Sequence, residues 1–117
     1  MKNNTRLIKI NDEIKRELSE IFRAGLKDPR ISVMTSVVKV ETTNDLSHCK
    51  VYVGMLGTDE QKAEVMRGIN SASGFIRSRL AESINLRHTP QLHFIQDDSI
   101  EQGIRISKII DDINKPR

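Results

Sequence analysis

The stretch Ile69-Asn70-Ser71-Ala72-Ser73-Gly74-Phe75-Ile76-Arg77-Ser78-Arg79-Leu80 runs a helical apolar stripe straight through a cluster of four small residues. Met66, Ile69, Ser73, Ile76, Leu80 and Ile84 recur at intervals of three and four, so one helix face holds them all. Arg67, Ser71, Gly74 and Ser78 recur on the opposite side. The segment therefore reads as one interrupted helix, with its kink at Ala72, Ser73 and Gly74. Its outer face is nearly bare of side chain: Gly74 has no bulk, and Ser71 and Ser78 carry only hydroxymethyls. A phosphodiester can approach such a backbone closely, and Arg67, Arg77 and Arg79 place positive charge around it. The alternative is a kink needed only for packing, with solvated arginines.

Working outward, a first helix is expected from about residue 4 to residue 23, with Leu7, Ile10, Ile14, Leu18 and Ile21 as its apolar stripe and Gly25 ending it. Arg6, Lys9, Lys15, Arg16, Arg23 and Lys27 decorate this helix, either as a solvated face or as a second contact with RNA. Asp28-Pro29-Arg30-Ile31 makes a tight connection, because proline fixes its own backbone and disfavours helix at the residue before it. Strands are predicted over residues 33–41 and 48–56, joined as a hairpin by Thr42-Thr43-Asn44-Asp45. Alternation in the second strand turns Cys49, Val51, Val53 and Met55 to the core. Thr58 and Gln61 form a capping box for the helix that leads into the small-residue cluster and ends near Asn85. After Pro90, residues 92–95 suit a third strand of the same sheet. Asp98 or Ser99 then caps a last helix carrying Ile100, Ile104, Ile106, Ile109, Ile110 and Ile113 and ending by Lys115-Pro116.

A chain of 117 residues fits one domain, 1–117. Hydrophobic residues at 37% and charged residues at 30% are the proportions of a soluble globular protein, and no apolar run approaches a membrane span. The first residues lead into an amphipathic pattern and not a secretory apolar core, and one cysteine allows no internal disulfide; a cytoplasmic location is expected. Net charge is +3, but its distribution says more. Between Arg67 and His88 four arginines face the single acid Glu82, whereas Asp97 to Asp112 holds five acids against Arg105 and Lys108. The basic end lacks the bulky anchors that an anionic membrane requires, which leaves nucleic acid as the partner.

Enzyme chemistry finds no footing. Carboxylate pairs, metal clusters and Gly-rich phosphate loops are missing at telling spacing, and His48, Cys49, His88 and His93 do not form a ligand set. No cofactor and no metal are expected. The four aromatics, Phe22, Tyr52, Phe75 and Phe94, are too few for a base-stacking platform, and Phe75 is read as core; recognition then rests on charge and shape.

The predicted order is helix, strand, strand, kinked helix, strand, helix: an α+β domain with helices packed on one three-stranded sheet, the order of a type II KH domain. KH modules hold single strands with a GxxG loop between two helices. Here the junction is Ser71-Ala72-Ser73-Gly74, which lacks that loop. From about Arg6 to Ile113 the chain resembles the bacterial ribosome-binding factor A family. The resemblance rests on Asp28-Pro29-Arg30-Ile31, on Asp45-Leu46 with Lys50-Val51-Tyr52-Val53, and on Ala72-Ser73-Gly74-Phe75-Ile76-Arg77. Leu86-Arg87, Pro90, Leu92, Phe94, Asp97, Ser99, Glu101 and Gly103 extend it. Cys49 stands where that family commonly has alanine.

The resemblance implies a type II KH-like fold in which the kink replaces the GxxG loop. It implies a small-subunit assembly factor that binds free 30S subunits and assists late maturation and 5′-end processing of 16S rRNA, with importance for growth in the cold. No enzymatic activity is implied, and a GTPase that promotes release is an expected partner. The free protein is expected to be a monomer. Candidate RNA contacts are Arg67, Ser71, Gly74, Arg77, Arg79 and Arg87, with Lys39 and Lys50 weaker. The alternative is a protein-interaction module that acts on the ribosome without touching rRNA.

Overall fold

Ile14, Leu18, Ile69, Ile76 and Leu80 lose all contact with solvent, and the elements of the chain are arranged around them. The computed structural model describes residues 5–24, 26, 31, 35–86 and 88–114. Among these the order is α1 (Thr5–Ala24), β1 (Ser36–Thr42), β2 (His48–Gly54), α2 (Asp59–Ser71), α3 (Ser73–Ser83), β3 (Gln91–Asp97) and α4 (Ser99–Asn114). The expected elements are all present. Asn4, Gly25, Lys27, Asp28-Pro29-Arg30, Val33, Arg87 and Lys115-Pro116 lie outside the described residues. β1 begins at Ser36, β2 ends at Gly54, two residues short of the expected strand, and β3 is longer than residues 92–95.

The three strands lie in the order β1-β2-β3. β1 and β2 form the expected antiparallel hairpin, with an irregularity between Val37 and Lys39. β3 runs parallel to β2, which requires a crossover, and α2 and α3 supply it. Val37, Val40, Cys49, Val51 and Val53 point to one side of the sheet and pack with Ile10, Ile14 and Leu18 of α1 and with Val65, Ile69, Ile76 and Leu80 of α2 and α3. Asn11 of α1 fixes the sheet edge by accepting a hydrogen bond from the Thr42 backbone N–H at 3.0 Å. The other sheet face is polar. There Tyr52 donates to Glu41 at 2.8 Å, and the rings of His48 and His93 share a hydrogen bond of 2.9 Å. Of the basic residues on α1, Arg6, Lys9, Lys15 and Arg16 are exposed, and Arg23 pairs with Glu20.

Local chemistry fixes the ends of the elements. The hairpin turn is organised by Asp45, whose carboxylate accepts from the Thr43 hydroxyl at 2.8 Å, the Ser47 hydroxyl at 2.7 Å and the Ser47 N–H at 3.1 Å. Leu46 beside it has φ 61°, a left-handed conformation that this hydrogen-bonded turn imposes. Thr58 and Gln61 make the reciprocal capping box at α2, with bonds of 3.1 and 2.8 Å.

At α4 the capping carboxylate is that of Asp97, which accepts from the Ser99 N–H at 2.7 Å. Asp98 holds the N-cap position, its backbone carbonyl accepting from the Gln102 N–H at 2.9 Å, and its carboxylate meets Lys62 at 3.3 Å and Gln96 at 3.2 Å. Lys62 is itself buried on α2, so its ammonium draws the carboxylate across. The expectation that the helices pack on the sheet holds for α1, α2 and α3. It fails for α4, whose residues from Gln102 to Asn114 are all exposed, because the three other helices already cover the inner face. Phe75 is also corrected: it is 56% exposed, since the phase that buries Ile76 and Leu80 turns the neighbouring ring outward.

Two outcomes follow from this packing. Ile76→Ala is expected to cost ~2–5 kcal/mol of stability in urea unfolding, whereas Phe75→Ala next to it stays within ~0.5 kcal/mol. Hydrogen bonds from the Ser47 hydroxyl, the Thr43 hydroxyl and the Ser47 N–H lower the Asp45 carboxyl to about 2. The turn is therefore fully stabilised above the ordinary aspartate range and loses that contribution as pH falls through about 2. NMR titration of Asp45 should show the low value, and Asp45→Asn should flatten the pH dependence of stability in this acid window.

Candidate nucleic-acid interface

Between α2 and α3 the helix is broken at one residue. Ala72, at φ −90° and ψ 2°, ends α2 and starts α3 at once. Its N–H is shared between the carbonyls of Gly68 and Ile69 at 3.0 and 3.1 Å, and its own carbonyl accepts from Ile76 at 2.9 Å. The buried stripe passes across the break, with Ile69 on one side and Ile76 on the other. Ala72 has no side-chain oxygen, so α3 starts without a side-chain cap. The first N–H groups of α3 therefore lack a side-chain acceptor and present the positive end of the helix dipole.

Gly74 sits in this first turn and is exposed. A methyl group added there would meet nothing within 4 Å. Glycine inside a helix costs ~0.5–1 kcal/mol relative to alanine, and no neighbour among the described residues requires it. What the missing side chain provides is access from outside. Gly74, Arg77, Ser78 and Ala81 on α3, with His88 and Thr89 on the return to β3, line a groove of about 570 Å³. Arg77 spans it: its Nη2 donates to the Thr89 carbonyl at 2.7 Å and its Nε to the Pro90 carbonyl at 3.2 Å. Both acceptors are neutral, so the guanidinium is fixed in place, and it forms no ion pair among the described residues. Remaining N–H groups of its fork are available to an anion.

The other expected residues divide. Ser71 is exposed one turn before Gly74 on the same side, and Arg67 lies one turn further back, where it pairs with Glu64. Arg79 is exposed and forms no ion pair among the described residues, but helical spacing sets it beside Phe75 and away from the groove. Arg87 lies outside the described residues. Lys39 and Lys50 belong to the outer face of the sheet, across the molecule from the helices. There Lys39 meets Glu41 at 3.5 Å and lies over the Tyr52 ring at 5.4 Å. The structure thus gathers Ser71, Gly74 and Arg77 with Ser78, and separates Lys39 and Lys50 from them.

Sequence reading missed His88 and Thr89 as parts of this groove. The available signal was the short return from α3 to β3, which sends residues 88 and 89 back alongside the helix. Cys49 is fully buried, and burial pushes its thiol up, away from the nucleophilic thiolate. Among the described residues no helix is long and apolar enough to cross a membrane.

The family model described as ribosome-binding factor A matches residues 6–110. The ribosome-binding factor A of Agathobacter rectalis is 50% identical over 114 residues, spanning 97% of this chain and 94% of that protein. The crystal structure of ribosome-binding factor A from Thermus thermophilus is 28% identical and superposes with a TM-score of 0.67, over 77% of this chain and 94% of that one. A homology model of the Thermus thermophilus protein, fitted into a cryo-EM map of a 30S complex, has 28% identity and a TM-score of 0.62, over 75% and 91% of the two chains. The kinked helix pair on a three-stranded sheet is a KH-like α+β fold, and the chain belongs to the ribosome-binding factor A family.

Proposed function

We propose that this protein is a non-catalytic assembly factor that docks on the free 30S subunit by gripping the backbone of 16S rRNA in the α3 groove. The observation that carries the reading is Gly74, an exposed helical glycine with empty space around it, beside an Arg77 guanidinium fastened to backbone carbonyls. A sugar-phosphate backbone uses both features, close approach and a fixed positive charge. The relative fitted into a map of its 30S complex supports the small subunit as the partner.

The mechanism needs no bond making. Nascent rRNA has competing conformations, and a rigid surface that binds one of them more tightly shifts the population by its difference in affinity. The chain acts in this way in the cytoplasm during late maturation, where the favoured conformer allows 5′-end processing of 16S rRNA. Mispaired RNA escapes slowly at low temperature, so the same bias matters most in the cold. One copy serves one subunit, and a GTPase drives its release. Arg79 and Phe75, exposed side by side on the neighbouring side of α3, extend the contact beyond the groove.

Sedimentation of the full chain with immature 30S particles tests this. Binding is expected to weaken with salt by roughly 0.9 log units per log unit of salt for each duplex phosphate engaged. Arg77→Ala with Arg79→Ala should lower both the affinity and that slope, and normal binding by this double variant would refute the site. Gly74→Ala should raise stability by ~0.5–1 kcal/mol yet weaken subunit binding about tenfold, two changes of opposite sign that a packing role does not produce. Binding to the particle without salt-sensitive binding to protein-free 16S rRNA would instead mark a protein-interaction module.

A further inference from the structure

The outer face of the sheet, opposite α1, α2 and α3, gathers groups that the α3 groove does not use. His48 and His93 lie 45 residues apart in the chain, yet His48 Nδ1 and His93 Nε2 stand 2.9 Å apart across the β2–β3 pairing. Lys50 is the register partner of His93, shares its face with His48, and forms no ion pair among the described residues. With Glu41, Thr43 and Ile95 these three side chains line a hollow of about 660 Å³. We propose that this hollow is a second phosphate site, in which His48, His93 and Lys50 hold a backbone phosphate of an RNA strand and which takes up a proton as it fills.

The ring pair carries this reading. A hydrogen bond between two imidazole nitrogens uses one proton, so one ring donates and the other accepts through a bare lone pair. A phosphate oxygen set between the rings accepts from both, and its negative charge favours the imidazolium form of each. Binding and protonation then strengthen each other, so affinity rises as pH falls through the range in which histidine gains its charge. The Lys50 ammonium at the same rim favours an anion there and opposes a metal cation.

The mount is stiff. The His48 N–H donates to the Thr43 hydroxyl oxygen at 3.1 Å, the Thr43 N–H to the His48 carbonyl at 2.9 Å, and the Gln91 N–H to the Ser47 carbonyl at 2.9 Å. The charged groups around the pair come from the strands and the hairpin turn, and the acids among them have partners. Glu41 is bound by the Tyr52 hydroxyl at 2.8 Å and by Lys39 at 3.5 Å, Asp45 by Thr43 and Ser47, and Asp97 by the Ser99 N–H. RNA as the source of the phosphate rests on the function proposed above. Groove and hollow lie on opposite sides of the sheet, so one chain spans two segments of rRNA.

Fluorescence anisotropy with a single-stranded RNA of about 12 nucleotides tests this on the full chain. Affinity is expected to be about tenfold higher at about pH 6 than at about pH 8. H48Q/H93Q should bring that ratio below about twofold with an unchanged far-UV circular dichroism spectrum, and K50A should weaken binding roughly fivefold at both pH values. R77A/R79A reads the α3 groove: it should weaken binding and keep the ratio, so failure of the groove and failure of the hollow are separate results. Equal affinity at the two pH values overturns the proposal, as does a ratio that survives H48Q/H93Q, which would then belong to His88. NMR signals of the His48 and His93 rings should move fully with the RNA and only weakly with inorganic phosphate at about 10 mM; saturation by phosphate alone would overturn the assignment to RNA.

Discussion

Everything outside depends on one buried stripe staying in phase across a broken helix. Ile69 and Ile76 both reach zero exposure although Ala72 between them is not helical. Burying two such side chains contributes ~1.5–3 kcal/mol each, enough to hold the short helix α3 in register although no side chain caps its start. With the inner face fixed by packing, the outer face is left to small residues, and the break opens there onto uncapped N–H groups. The core thus determines the geometry of the surface: a change in the phase of α3 would carry Arg77 away from the Thr89 and Pro90 carbonyls.

The distribution of charge follows the same division. Acids meet bases away from the groove: Glu64 with Arg67, Glu41 with Lys39, Asp98 with Lys62. Arg77, in contrast, is held by carbonyl oxygens, which orient a guanidinium without cancelling it. A formal charge of only +3 is compatible with a locally strong anion site because the compensation is spatially segregated.

Much of this is legible in the residues themselves. The stripes of α1 and of the α2–α3 pair, the alternation around Cys49 and the reciprocal Thr58–Gln61 cap are short-range patterns, and each appears where the spacing puts it. Periodicity assigns a residue to a face but not to a layer, which is why Lys39 and Lys50 look compatible with the kink and yet lie beyond the sheet. Hydrophobicity alone assigns Phe75 to the core, against the phase set by Ile76 and Leu80. The exposure of α4 depends on how much of the sheet the other helices cover, and the Thr89 and Pro90 carbonyls that hold Arg77 depend on a returning loop. Neither quantity is written in any one segment.

The parallel pairing of β2 with β3 has a consequence for the order in which the molecule can be made. A hairpin closes as soon as its turn exists, but the third strand joins only after both helices of the crossover have been threaded over the sheet. Until Gln91–Asp97 leaves the exit tunnel, the nascent chain carries a two-stranded ribbon with an unpaired edge along β2, and its kinked pair lacks part of its floor. Completion of the domain is therefore a late event of synthesis, and the groove that Arg77 closes comes into being with it.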